Sequence, residues 1–171
     1  MSKTVPTRQE RVMKSEDFII SKTDTKGKLT YCNEIFMDMS MMTERELIGK
    51  PHSIVRHPDM PKIVFTLLWE HISTGNEIFA YVKNLSKDGS FYWVFANVTP
   101  SYDDKNNIIG YHSVRIKPNE KALEVIKPLY AKLLEIEKSQ GVEASKEALN
   151  EILKEKGVSY DEFIITLQAD K

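Results

Sequence analysis

The sequence predicts an α+β domain built on one five-stranded antiparallel sheet, with helices flanking a pocket and a helical extension at the C-terminal end. Two observations favour this fold. Five short stretches of strand-forming residues are separated by polar turns, two before and three after a group of helical segments. One of the later strands is apolar on both faces, so the sheet must be covered on both sides.

Composition narrows the range of partners, covalent links and locations to expect for this protein. The 171 residues, 41% of them hydrophobic, suffice for one compact domain with an appendage, and the net charge of -1 gives no reason to expect a nucleic-acid partner. A single cysteine, Cys32, excludes an internal disulfide and cannot build a zinc site by itself. No apolar run approaches the roughly 20 residues of a membrane span, and the first residues do not resemble a signal peptide. We therefore expect a soluble cytoplasmic protein.

The first third of the chain predicts a hairpin and two short helices. A polar lead-in over residues 1–16 is expected to be loose or briefly helical. Strand formers over 18–23 and 28–32 flank a turn that contains Gly27. Asn33 can cap one short helix, and the capping box from Thr43 to Glu46 starts another.

The most informative segment is residues 51–61, which contains three prolines, two histidines, an arginine and an aspartate. It favours neither a long helix nor a strand. Pro61 then suits the first turn of a helix that reaches about Ser73. The apolar arc of this helix is wider than a surface helix needs, and Trp69 lies at its edge. The segment and the helix together predict a cavity with a charged rim.

The second group of strands is predicted over residues 77–86, 90–101 and 108–117, with a strong hairpin signal at Gly89. In the middle strand, small residues share one face, which leaves room for a ligand if that face points inward. The opposite face carries large aromatics that predict a docking surface for a partner, unless the lead-in or tail of the chain covers them. These aromatics are Phe91, Trp93 and Phe95.

The pattern of the extension from Asn119 onward predicts helices. Pro128 is expected to break or restart its first helix, Gly157 to end the second, and the Ser159 capping box to open the third. The apolar stripe of these helices has no obvious core of its own, so we expect it to dock on the sheet or on a partner.

With these elements in place, the chain from about residue 15 to 133 resembles a PAS domain, and specifically the flavin-binding PAS domain of bacterial aerotaxis and energy-taxis receptors. The string Val-Arg-His-Pro-Asp-Met-Pro over residues 55–61 is the most specific feature. The remaining matches are His52 to Ile54, Lys62, Trp69, Val82 to Asn84, Lys87 to Gly89, Tyr92 to Val94, Ala96, Asn97, Tyr111 to Arg115, and Pro128 to Tyr130. The resemblance divides the chain into a lead-in over 1–16, a PAS sensory domain over 17–118 and a helical extension over 119–171.

The resemblance implies a bound FAD whose oxidation state reports cellular redox or oxygen status. The family residues associated with the flavin match Arg56, His57, Asp59 and Trp69 directly. Asn84 matches an asparagine that suits the pyrimidine edge of the ring. Arg115 falls on the inward face beside Tyr111 and Ser113 if the strand register follows that of other flavin-binding PAS domains.

Each of these residues also has a structural interpretation. Arg56 and Asp59 can form a local ion pair, and His57 can be a turn residue. Trp69 can be ordinary core packing, while Arg115 can form a cross-strand salt bridge.

Three differences from related proteins shape the functional hypothesis. Taxis-receptor PAS domains usually carry a tryptophan where this chain has Ile78, and the reactive cysteine of the light-sensing relatives is missing. The sequence shows no membrane anchor, linker module or methyl-accepting helix. We therefore expect a sensory subunit, as a homo-oligomer such as a dimer, that acts in trans on a membrane-bound chemotaxis transducer.

Two other functions stay open at this point. One is a heme-binding PAS gas sensor with His52, His57 or His71 as the axial ligand. The other is a ligand-free PAS domain that serves only for dimerisation. An enzyme is not expected, because the sequence has no nucleophile and base at usable spacing, no glycine-rich phosphate loop and no metal-ligand cluster.

Overall fold

The computed structural model describes residues 4–170. Residues 1–3 of the predicted lead-in and residue 171 of the predicted extension lie outside the described residues. The strands are β1 (Ile19–Thr23), β2 (Leu29–Cys32), β3 (Ile78–Leu85), β4 (Phe91–Tyr102) and β5 (Ile108–Ile116). The helices are α1 (Glu34–Ser40), α2 (Glu44–Leu47), α3 (Lys62–Ile72), α4 (Glu120–Gln140), α5 (Val142–Lys156) and α6 (Tyr160–Ala169), with a short 3-10 helix at His52–Val55.

The five strands form one antiparallel sheet in the order β2-β1-β5-β4-β3. This confirms the predicted fold class. β1 pairs with β5, so the N-terminal hairpin closes one side of the sheet and the β3–β4 hairpin closes the other. The inner face of the sheet meets α1, the 3-10 helix and α3.

The local signals act as predicted at the helix ends. The Asn33 side chain accepts the amide of Phe36, and Thr43 and Glu46 form a reciprocal capping box. The Ser159 side chain caps α6 by accepting the amide of Glu162. Gly157 ends α5 in the left-handed region, where a side chain would be strained.

The described part of the lead-in forms no helix, so the helical alternative is wrong, and its only regular pairing is one bridge to the start of β4. Gln9 and Arg11 bracket a parallel bridge between Glu10 and Phe91, with hydrogen bonds of 3.0 Å from the Phe91 amide to the Gln9 carbonyl and 2.7 Å from the Arg11 amide to the Phe91 carbonyl. These residues lack a helical apolar stripe, and Phe91 at the start of β4 offers them an unpaired backbone. Tertiary pairing therefore decides their conformation.

The expected break at Pro128 is also absent, because α4 continues through it. The missing amide leaves one carbonyl of the preceding turn without its helical partner. Pro128 lies on the exposed side of α4, where water can satisfy that carbonyl. On the other side, buried residues before and after the proline, including Ile126 and Tyr130, hold the helix against the domain.

The extension covers the outer face of the sheet. The Trp93 ring lies 6.1 Å from that of Tyr130, and Trp93 is only 7% exposed. The buried residues that pack over this face belong to one core with the sheet; they are Leu133, Leu149, Leu153, Phe163 and Ile164. The predicted docking of the extension on the sheet is confirmed. A free docking surface at Phe91, Trp93 and Phe95 is therefore wrong, because the tail of the chain occupies it.

Tyrosine hydroxyls satisfy the free edge of β3. Tyr160 donates to the Phe79 carbonyl at 3.0 Å, and Tyr130 donates to the Tyr81 carbonyl at 2.7 Å. The next carbonyl along this free edge, that of Lys83, accepts a hydrogen bond from the His57 amide. An edge strand is thereby protected from pairing with another chain.

Residues 4–170 include no helix that is long and apolar enough to cross a membrane.

Candidate ligand site

A cavity of about 280 Å³ lies between the inner face of the sheet, the 3-10 segment and α3. This volume is near the lower end of the range for small-molecule sites. The small-residue face of β4 points inward, and Ala96 and Val98 line the cavity. Four residues of α3 form the opposite wall: Phe65, Leu68, Trp69 and Ile72.

The charge of the cavity wall is one-sided. Lys26, Arg56 and Arg115 line it, and no aspartate or glutamate is among the lining residues that the structure describes. A wall that combines apolar surface with cations suits an aromatic ligand that carries negative charge.

Arg115 is the most unusual group in the wall, because it is a buried cation without an acidic partner among residues 4–170. It is 3% exposed, and it donates to His52 Nε2 at 2.8 Å and to the Ser21 hydroxyl. Its guanidinium also lies over the Phe36 ring, 4.8 Å from the centroid. Burial lowers the pKa of Arg115 to about 10, so it stays charged at neutral pH. Its Nε has no hydrogen-bond partner in the described chain.

The contact with Arg115 fixes the state of His52. A guanidinium can only donate, so His52 Nε2 must accept, which makes the imidazole neutral with its proton on Nδ1. Burial and the adjacent Arg115 lower the pKa of His52 to about 3. Its ring is half-buried because one side faces the cavity.

Asn84 presents a buried amide to the same cavity. It is 4% exposed, and it bonds to the hydroxyl of Tyr92, its cross-strand partner. Burial raises the pKa of Tyr92 to about 12, so this hydroxyl stays protonated. The Asn84 amide is thus held at a fixed position in the wall.

Arg56 lies at the mouth. Its guanidinium carbon is 3.6 Å from the centroid of the Phe65 ring, and its backbone forms an antiparallel bridge with Asn84. The alternative of an ion pair between Arg56 and Asp59 is wrong, because Asp59 pairs with Lys83 at 3.0 Å. Arg56 therefore remains directed at the cavity, and it also borders an open groove that continues along α3 to Lys62.

Trp69 closes the other side of the mouth. It is 38% exposed and meets Tyr111 edge-to-face at 5.5 Å. Gly27, in the β1–β2 turn, lies so close that a Cβ there would be 2.9 Å from the indole.

His57 and Asp59 are not in the cavity wall. The backbone is extended at Arg56, with φ -71° and ψ 127°, so consecutive side chains point to opposite sides. His57 is buried against the Phe91 ring at 6.2 Å, and its Nδ1 accepts the Asp59 amide. Asp59 is 61% exposed. Both residues fasten the loop to the outer side of β3, so the geometry favours their structural interpretation.

The structure brings together four of the six predicted residues, namely Arg56, Trp69, Asn84 and Arg115, and adds His52 and Ser21. Ser21 could have been found from its alternation with Ile19 and Thr23 along β1. Ile78, Cys32 and His71 are not in the wall, and the Ile78 side chain packs with Ile72, Val98 and Tyr111. The described chain has no cluster of three or more histidine, cysteine or acidic side chains that could hold a metal.

Residues 29–115, just over half of the chain, match the family described as the PAS fold. The chain belongs to the PAS family. This confirms the resemblance that the sequence suggested. The five-stranded sheet and the cavity beneath it therefore belong to a PAS domain.

The most informative relative is the aerotaxis receptor of Escherichia coli strain K12, which is 36% identical over 127 residues. The match covers 74% of this chain but 25% of the receptor, so the chain spans about a quarter of that relative. Phototropin-2 of Oryza sativa subsp. japonica is 24% identical over 127 residues, covering 66% of this chain and 14% of phototropin-2.

Solved structures agree on the fold. The light-state structure of the blue-light photoreceptor Aureochrome1 LOV superposes with a TM-score of 0.54 at 23% identity, covering 73% of this chain and 92% of that one. A light-oxygen-voltage domain studied with a flavin analogue gives a TM-score of 0.54 at 22% identity, covering 65% and 83%.

The contact between Gly27 and Trp69 yields a paired prediction. Gly27→Ala and Gly49→Ala both place a side chain at positive φ, at +81° and +83°, but only the first collides with a neighbour. Gly49→Ala should lose about 1–2 kcal/mol of unfolding free energy, and Gly27→Ala should lose more because the indole must also move. Only Gly27→Ala should also shift the tryptophan emission, because it must displace the indole. Identical emission spectra for the two variants would contradict this packing.

His52, held beside the Arg115 guanidinium, predicts how stability depends on pH in the ligand-free protein. The folded pKa of about 3 lies below the unfolded value of 6.5, so between these pH values the unfolded state binds a proton that the folded state does not. Stability should therefore rise with pH in this window, by about 1.4 kcal/mol per pH unit for one proton. His57, whose pKa is lowered by burial, adds to the slope.

Urea unfolding between pH 5 and pH 6 measures this slope. His52→Gln keeps an acceptor for Arg115 but does not titrate, so the slope should fall by about one proton equivalent, roughly 1.4 kcal/mol per pH unit. His112→Gln, on the face of β5 opposite Tyr111 and Ser113, is the matched control. An unchanged slope in His52→Gln would show that His52 is not held neutral.

Proposed function

We propose that this PAS domain binds FAD in the cavity and acts as a cytoplasmic redox or oxygen sensor for energy taxis, without enzymatic activity. The observation that carries the proposal is the unpaired, buried Arg115 in a cavity whose charged wall residues are all cationic. An isolated buried cation is unfavourable unless something of opposite charge accompanies it. An apolar, aromatic ligand with acceptor atoms and phosphates meets this requirement.

The wall residues fit a flavin by their chemistry. Arg115 and Asn84 offer donors to a ring edge that alternates donors and acceptors, and Asn84 also offers an acceptor. The branched and aromatic residues of α3 and β4 exclude water from the ring faces. Arg56 and Lys62 border the groove that leads out of the cavity, where they can neutralise a diphosphate, and the one acidic residue among the described lining of the groove, Glu70, is paired with Lys146. This continuation favours FAD over the shorter mononucleotide.

A bound flavin would supply a reversible electron-transfer couple. Negative charge added in the cavity on reduction is stabilised by the Arg115 guanidinium. Arg115 would then turn towards the flavin and lose a hydrogen bond that it donates to His52 or Ser21 in the ligand-free protein. Because His52 belongs to the 3-10 segment that precedes Arg56, this change alters the wall and the mouth together. Such a shift needs different interactions in the two redox states, which a change of ligand charge provides.

The heme alternative is less favoured by the geometry. Of the three histidines considered as axial ligands, only His52 lines the cavity, and its Nε2 already accepts from Arg115. A ligand-free dimerisation module would not require a buried cation aimed into a cavity.

The absorption spectrum of the purified protein, with identification of the released chromophore, tests the ligand. Arg56→Ala, Trp69→Ala and Arg115→Met should each weaken FAD binding about tenfold or more, because each removes a charged or aromatic contact. Arg115→Met should also leave the ligand-free protein as stable as wild type or more stable, since it removes a buried charge.

Arg45→Met, which removes an exposed arginine on α2, is the control and should bind FAD normally. Colourless wild-type protein after purification with added FAD would refute the ligand, and saturated binding in all three wall variants would refute the site. FMN alone as the released chromophore would refute the role of the groove.

We further propose that the domain, as a homodimer, signals in trans to a membrane-bound chemotaxis transducer. The support is the relation to an aerotaxis receptor. Immobilised protein should capture such a transducer from detergent extracts in one redox state more than in the other. Equal capture, or none, in both redox states would contradict this proposal. Trp93→Ala does not report on the contact, because Trp93 is buried under the extension.

A further inference from the structure

Helix α3 receives its N-terminal cap from the C-terminal extension. Pro61 occupies the cap position and has no side-chain acceptor to offer. The amides of Lys62 and Ile63 instead donate to the two carboxylate oxygens of Glu137 in α4, at 2.8 Å and 2.9 Å. A carboxylate at this end of a helix is favourable both as an acceptor and as a charge near the positive end of the helix dipole.

The extension holds this carboxylate in place. The Ser145 hydroxyl in α5 lies 3.1 Å from Glu137 Oε1 and 2.7 Å from the Val142 carbonyl, so the two acceptors share its one hydrogen, and Ser145 is fully buried. A second contact lies two turns further along α3, where Lys146 Nζ meets Glu70 Oε1 at 3.2 Å. Helices α4 and α5 of the extension therefore contact α3 through polar groups at two points.

The same helix forms the cavity wall on its other side. Phe65, Leu68, Trp69 and Ile72 line the cavity, and Phe65 stacks under Arg56 at the mouth. A helix moves as a rigid element in a close-packed interior, so a shift of the capped end is transmitted to these side chains.

We propose that Glu137 is a positioning residue for the cavity and that it couples ligand binding to docking of the C-terminal extension through α3. The identity of the ligand rests on the function proposed above, whereas the coupling rests on the contacts of Glu137. A ligand that shifts α3 changes the hydrogen bonds between α3 and Glu137. Conversely, undocking of the extension breaks these bonds and allows α3 to move.

Coupling of this kind is reciprocal. If loss of the Glu137 contact weakens ligand binding by some factor, ligand binding must strengthen docking of the extension by the same factor. A cap that merely stabilises α3 would lower the unfolding free energy without linking these two quantities.

The test compares wild type with Glu137→Ala, Glu137→Gln and Glu135→Ala. Glutamine keeps one acceptor but loses the charge, so it should rescue part of the effect. Glu135 is an exposed residue of the same helix and is the matched control. The dissociation constant of FAD should rise roughly fivefold or more in Glu137→Ala, less in Glu137→Gln and not in Glu135→Ala.

Hydrogen exchange of the amides in Val142–Ala169, with and without FAD, gives the reciprocal readout. FAD should protect these amides in wild type, and the protection should shrink in Glu137→Ala by a factor close to its loss of affinity. Unchanged FAD affinity in Glu137→Ala, or protection that does not depend on Glu137, would overturn the coupling. If Glu137→Ala does not fold, Ser145→Ala removes one bond to the carboxylate and undergoes the same test.

Failure of the flavin proposal is distinguishable from failure of the coupling. If wild type binds no FAD, the ligand is wrong, and the coupling is judged from exchange in the ligand-free protein. Faster exchange in Glu137→Ala that spreads from the extension into Phe65–Ile72 supports it. Faster exchange confined to the Lys62 and Ile63 amides overturns it.

Discussion

The sheet of this PAS domain is apolar on both faces, and burying both faces at once determines the arrangement of everything else. Along β4, Trp93 and Phe95 point outward while Val94 and Ala96 point inward. The outer set is buried under the extension, and the inner set closes over a cavity. One layer of strands therefore separates the cavity from the helices of the extension, and α3 contacts both.

The cavity is organised by a charge that the fold alone does not require. Arg115 is buried among Ser21, His52 and Phe36, none of which carries a negative charge. Retaining a desolvated guanidinium without a counter-charge is costly, and an apolar residue of similar volume would pack there more favourably. This cost becomes useful when a ligand supplies acceptors and negative charge, which is why the group is better explained by binding than by stability.

The extension is part of the domain in the same physical sense as the core strands. Tyr130 and Tyr160 of the extension donate hydrogen bonds to backbone carbonyls at the free edge of β3. Glu137 supplies the side-chain cap of α3 that Pro61 cannot provide. These contacts join residues far apart in sequence, so they form only when the helices dock. Ligand contacts on one side of α3 and docking contacts on its other side thereby act on a single element.

The sequence by itself determined the strands, the helix caps, the two apolar faces of β4 and the identity of the family, because alternation, capping residues and turn glycines act over a few neighbouring positions. Only the tertiary structure decided which residues of 51–61 face the cavity. Arg56 and His57 are adjacent, yet extended backbone sends their side chains to opposite sides of β3. The bridge from the lead-in to β4 and the unbroken α4 were likewise fixed by docking, since pairing with Phe91 and burial around Pro128 outweigh weak local preferences.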